Sequence, residues 1–212
     1  MRARPRRRPT TALGALAVAV GLLVGPACGG TPPAPTTTGP PGYQVLSDAP
    51  FGFAVAVPSG WIRIPLSTDP DVFDSKANAL RSEHPGLAEA IVLARIIANA
   101  SGQLMAAAPD GGASVNLTAA KAPEKDLDDA SRKIIAAHLQ NGATEPVAAR
   151  LTVAGEPALR LTFKAPVETD EGTVTTEEVQ FIFLREGSAY ILTVMNAGPE
   201  VADAIAASLR LR

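Results

Sequence analysis

The last third of the chain leaves few choices of fold. Val147, Ala149, Leu151 and Val153 alternate with Ala148, Arg150 and Thr152, and Leu159, Leu161 and Phe163 alternate with Arg160, Thr162 and Lys164. A period of two sorts each run onto the two faces of a strand. Gly155-Glu156-Pro157 turns the chain between them, the acidic stretch 168–172 turns it again, and Glu186-Gly187 joins strands at 179–184 and 190–195. A two-residue link of that type joins antiparallel neighbours; a parallel pair needs a crossover of a dozen residues or more.

The earlier part alternates between the two periods. Residues 51–57 place Phe51, Phe53, Val55 and Val57 on one face of a strand and Gly52, Ala54 and Ala56 on the other, a small face that lets another backbone come close. After Pro58-Ser59-Gly60, residues 61–66 read as a second strand with Ile62, Ile64 and Leu66 on one face, and the two form a predicted hairpin. Asp69-Pro70 is an N-cap followed by proline at the first helical position, so a helix is expected over 71–81, broken by His84-Pro85-Gly86. A second helix over 87–100 carries Leu87, Ile91, Ala94 and Ala98 in one stripe. Its only charges are Glu89 and Arg95, which predicts burial between other elements. Strands at 104–108 and 114–119 flank the tight turn Asp110-Gly111-Gly112. A third helix over 126–140 turns Leu127, Ile134, Ile135 and His138 to one side, with Asp126, Asp128 and Asp129 at its positive end and Asn141-Gly142 as C-cap. Gly198-Pro199 opens a last helix with Val201, Ala202 and Ile205 inward. Strands in hairpins with separate helices mean an α+β domain, an antiparallel β-sheet flanked by helices.

The head of the chain is of another kind. Five arginines and no acid precede residue 9, and residues 11–24 carry no charge. That run is shorter than the roughly 20 apolar residues needed to cross a bilayer, and Pro26 follows it. A positive head, a short apolar run and small residues at its exit read as a secretory signal over 1–27. Cys28, the chain's one cysteine, follows directly, between Ala27 and Gly29. It has no partner for an intramolecular disulfide. The site resembles the lipobox of bacterial lipoproteins, whose cysteine is acylated and becomes the N-terminus. Gly25 stands where that motif has leucine or valine, and cleavage without lipid is the alternative. Residues 28–42, rich in Pro, Thr and Gly, read as a semi-rigid tether. The single folded domain is then 43–212, long enough for a core without disulfides.

Composition narrows the partners. The chain has 19 basic and 21 acidic residues, and without the five arginines of its head 14 face 21. An acidic domain repels phosphate backbones and anionic headgroups. No nucleic-acid partner is expected, and contact with the membrane is expected only through the N-terminal lipid.

Several phrases occur in an order that resembles a known family. They are residues 51–61 (FGFAVAVPSGW), the 114–118 strand (SVNLT) before Pro123 and a helix, the 155–158 turn (GEPA), and the 187–193 strand (GSAYILT) before a closing helix. Together they look like the PsbP-like or Mog-type fold, especially the actinobacterial lipoproteins of LpqN/LpqT type, over nearly all of 43–212. The resemblance implies a sheet between helices, a binding or assembly role, and no shared catalytic centre.

The search for chemistry agrees with that expectation. The two histidines, His84 and His138, lack metal-ligand spacing. No nucleophile elbow or phosphate loop is present. Asp69, Asp71 and Asp74 lack the glycine and glutamate of a calcium loop and read as helix capping. Lone Trp61 reads as core or edge packing. No catalytic residue, metal ligand or cofactor is expected; Cys28 is the one assigned site. The expected function is a non-enzymatic lipoprotein at the extracytoplasmic face of the cell membrane, or else secreted, binding another envelope protein as a monomer. Acidic residues at 168–172 would steer a basic partner. The alternative is a carrier of an apolar ligand held between the sheet and helix 87–100, lined by Ile91 and Ile96.

Overall fold

The computed structural model describes residues 34–99, 101–122, 126–169 and 172–212. Its strands are β1 (Tyr43–Asp48), β2 (Phe53–Pro58), β3 (Ile62–Arg63), β4 (Gly102–Ala107), β5 (Ser114–Lys121), β6 (Thr144–Val153), β7 (Glu156–Thr169), β8 (Gly172–Arg185), β9 (Ser188–Met195) and β10 (Arg210–Leu211). Its helices are α1 (Pro70–Glu83), α2 (Ala88–Asn99), α3 (Leu127–Gln140) and α4 (Pro199–Ser208). A seven-stranded sheet runs β3-β4-β5-β9-β8-β7-β6, and a small sheet runs β1-β2-β10. Every ladder is antiparallel. The α+β class with an antiparallel sheet and flanking helices is as the patterning predicts.

The large sheet is covered on both faces. On one, Phe53, Val55 and Val57 of β2 and Ala202, Ile205 and Ala206 of α4 pack onto Leu104, Val115, Phe181, Phe183, Leu192 and Val194. On the other, α1 and α2 bury Phe73, Leu87, Ile91 and Ala94 against Met105 and Ala107. Farther along that face α3 sits over β7 and β8, where Ala143, Leu161 and Phe163 form a separate small cluster. Apolar burial at about 25 cal/mol per Å² is the main drive for this layering.

The expected hairpin of 51–57 with 61–66 does not form. Both edges of β2 are taken, by β1 and by β10, while Ile62 and Arg63 pair with Ala107 and Ala106 of the other sheet. Strand β1 escaped the pattern because Gln44, Ser47 and Asp48 interrupt its apolar residues. Phe51 lies in the β1–β2 turn, 54% exposed. The small face of β2 does admit another backbone. A Cβ at Gly39 would stand only 2.6 Å from Ala56 Cβ, and Thr37 Oγ1 donates to the Ser208 carbonyl at 2.6 Å. Residues 37–39 therefore lie against the folded body.

Helix α2 is corrected too. Its stripe of Leu87, Ile91, Ala94 and Ala98 is buried as expected, but Val92 and Ile96 are 60% and 44% exposed. The helix is an outer layer on β4 beside α1, and no described element covers its far side. Strand β8 runs 14 residues where six are legible, because Thr173, Thr175, Thr176 and Glu177 carry no apolar alternation.

Candidate functional site

Strands β7 and β8 outrun their neighbours. β6 pairs with β7 only as far as Lys164, and β9 pairs with β8 only as far as Glu178. From Ala165↔Thr176 to Thr169↔Gly172, the strands pair only with each other among the described residues. Five residue pairs make a ribbon about 17 Å long. A two-stranded ribbon is marginal by itself and depends on its root.

That root is built by α3 and its C-cap. Asn141 ends the helix with its N–H on the Ala137 carbonyl, and Gly142 brings the chain against the Pro166 ring. The His138 ring lies 4.2 Å from the Phe163 ring, centroid to centroid. Its Nε2 is 3.0 Å from Gln180 Oε1. That oxygen can only accept, so the neutral imidazole carries its proton on Nε2. Thr176 Oγ1 donates to the Ala165 carbonyl at 3.2 Å and also faces Glu178 Oε1 at 3.5 Å. Burial pushes the Glu178 carboxyl above its ordinary pKa, against hydrogen bonds from Thr176 and Gln180. Burial holds His138 below its ordinary pKa, against the Gln180 hydrogen bond. Both groups lean to their neutral forms, as desolvation demands.

A polar strip extends from this root across the sheet. Asn116, Thr193 and Gln180 are paired in register on three successive strands, and each is more than nine-tenths buried. They lie on the helix-bearing face, between the part under α2 and the part under α3. Among the buried polar side chains Ser114, Asn116, Ser131, Thr176, Gln180, Thr193 and Ser208, only Ser208 belongs to the opposite layer. The arrangement ties helix, sheet and ribbon together, and its two titratable groups make that tie sensitive to pH.

The residues singled out by sequence are scattered. Asp69 caps α1, accepting from the N–H groups of Asp71 and Val72 at 3.0 and 3.3 Å. Asp74 pairs with Arg95 at 2.9 Å. Asp126 caps α3, Asp128 pairs with Arg150, and Asp129 pairs with Arg132 and Lys133. Among the described residues no three His, Cys, Asp or Glu side chains could share a metal ion. His84 ends α1, its N–H on the Leu80 carbonyl at 2.8 Å. Trp61 packs half-buried on the main core. Cys28 lies outside the described residues. Ile91 is 1% exposed while Ile96 points to solvent, so the two do not line one cavity. The buried network at Gln180 was not legible: a lone glutamine within an apolar run gives no sign of its partners.

No protein-family model matches the chain, and no curated protein matches it. Among solved structures, cyanobacterial PsbP (CyanoP) of Synechocystis sp. PCC 6803 aligns over 88% of this chain and 98% of its own, with 12% identity and a TM-score of 0.50. The chain has a PsbP-like fold. LpqN of Mycobacterium tuberculosis, involved in cell envelope biogenesis, aligns over 83% of this chain and 82% of its own, with 8% identity and a TM-score of 0.37. A protein of Bacteroides thetaiotaomicron VPI-5482 aligns over 76% of this chain and 45% of its own, with 12% identity and a TM-score of 0.42. Among the described residues, no helix is long and apolar enough to cross a membrane.

Proposed function

We propose that the chain is an envelope lipoprotein, held through acylated Cys28 on the extracytoplasmic face of the cell membrane, and that its PsbP-like domain binds another envelope protein without catalysing a reaction. The observation that carries this reading is the ribbon. It projects beyond the sheet, its root is pinned by His138, Gln180 and Phe163, and the sequence from 165 to 176 includes Glu168, Asp170 and Glu171. A rigidly rooted acidic arm suits a basic protein surface, since complementary charge speeds encounter and fixes orientation. The interior beneath α2, filled by Leu87, Ile91 and Met105, gives no support to a carrier of apolar ligand there.

The test is crosslinked pulldown of the membrane-held full chain with mass spectrometry, beside a Glu168→Lys, Asp170→Lys, Glu171→Lys variant. The dominant partner should be recovered with the native chain and lost with the variant. Equal recovery from both would place the contact elsewhere. Labelling with an alkyne fatty acid checks the anchor: the native chain should take the label and Cys28→Ala should not.

A further inference from the structure

The large sheet ends at one side in β3, two residues long, and at the other in β6, ten residues long. Among the described residues only β7 pairs with β6. Along its outer edge the backbone donors and acceptors of alternate residues have no ladder, a template for a further strand. The open stretch is bounded. Glu145, with φ at 56°, and Pro146 interrupt the register at one end, and the turn after Val153 closes the other. Between them no lysine or proline blunts the edge. Val147 and Ala149 lie on the sheet face that bears the main core, in register with Thr162 and Arg160, but beyond the reach of α4, whose Asp203 holds Arg160 at 2.8 Å. Val147 is 64% exposed.

We propose that β6 is a homotypic interface: two copies of the chain join these edges antiparallel about a two-fold axis at Ala149, making one continuous sheet. This departs from the monomer expected from sequence. Charge admits a second copy at this edge, and the self-complementary apolar pairing of Val147 with Leu151 favours it as the occupant. The domain carries seven more acidic than basic residues, so most surfaces of two copies repel each other. At β6 the charges are already matched within each copy, Arg150 by Asp128 and Glu145 by Lys164. Register selects the axis. A two-fold axis normal to the sheet keeps each face on its own side, so it must pass through a residue position. At Arg150 it would set two arginines directly opposite, which is unfavourable. At Ala148 it would set Glu145 against Leu151 of the second copy. At Ala149 it sets Val147 against Leu151 of the second copy, twice by symmetry, with no charge opposite a charge. Each Val147 thereby gains an apolar neighbour that the single chain does not supply.

The test uses full chain in detergent with Cys28→Ser, leaving no native thiol. Directly opposite residues of an antiparallel pair stand about 4.5–5.5 Å apart at Cα, within reach of a disulfide. Ala149→Cys should therefore link into a two-chain band on oxidation with copper phenanthroline. Val147→Cys, whose symmetry mates are about 14 Å apart, should not. Val147→Glu, at an exposed position that spares the fold, should weaken association about thirtyfold in a light-scattering titration, because it acts twice across the axis. A single-chain mass at every concentration, no link through Ala149→Cys, or equal linking through Val147→Cys would each overturn the proposal.

Discussion

Replacing Phe163 with alanine tests whether α3 and the ribbon share a root. The ring is 2% exposed, packed with Leu161 and Ala143, with the His138 ring 4.2 Å away. Removing a buried phenylalanine costs about 3–5 kcal/mol, from lost transfer energy and the cavity left behind. Domains are stable by only about 5–15 kcal/mol, so this is a large share. At about 2–4 °C per kcal/mol for a chain of this size, the melting temperature should fall by about 6–20 °C. Urea titration followed by circular dichroism measures the loss directly, and an unchanged slope would show that the unfolded reference is unaltered. Part of the loss should couple to the imidazole. A double-mutant cycle with His138→Ala should return about 0.5–1.5 kcal/mol, the range for packed aromatic pairs. A loss below about 1 kcal/mol would mean that the site collapses without strain and α3 does not depend on it. A coupling near zero would mean that the ring contact contributes nothing beyond buried area.

Other consequences follow from single residues. Burial raises the Glu178 pKa, so this group favours the fold below its ordinary value near 4.5, and that contribution is lost as pH rises through the folded pKa. The stability of Glu178→Gln relative to the native chain should accordingly increase with pH in urea titrations. The sign is opposite for His138, whose lowered pKa favours the fold above 6.5 and loses that contribution as pH falls; His138→Gln should flatten the acid side of the profile. Ser208→Ala should cost about 1–3 kcal/mol, because the hydroxyl accepts from the buried Ala56 N–H at 2.8 Å and donates to the Ile205 carbonyl at 2.7 Å. Gly111 has φ at 74°, and a Cβ there would collide with the Gly86 carbonyl. Gly111→Ala should therefore lower the melting temperature through a loss above about 1 kcal/mol.

Local chemistry made much of the fold legible. Glu186-Gly187 joins β8 to β9 with φ at 51° and 75°, the left-handed pair that a two-residue hairpin requires, and Arg185 pairs with Ser188. Asp69 and Asp126 cap α1 and α3 as their positions before helical runs imply. The ribbon was legible only as a turn, because its strand residues beyond Glu178 are mostly polar. Polar residues reveal no strand when neither face meets a core. The network of His138, Gln180 and Glu178 joins residues up to 42 positions apart, and no local spacing encodes such a meeting.

By itself the sequence determined the class of the fold, since side-chain period and turn chemistry act over a few residues and need no distant partner. It also determined where the chemistry of an anchor could lie, at a single thiol behind an apolar run. Tertiary structure alone decided which strands pair: β2 turns from its neighbour β3 to β1 and the C-terminal β10, because pairing is a competition among edges far apart in the chain. It alone decided which side of α2 meets water, and that among the described residues the outer edge of β6 has no partner, because exposure depends on what else has been packed and not on the residue itself.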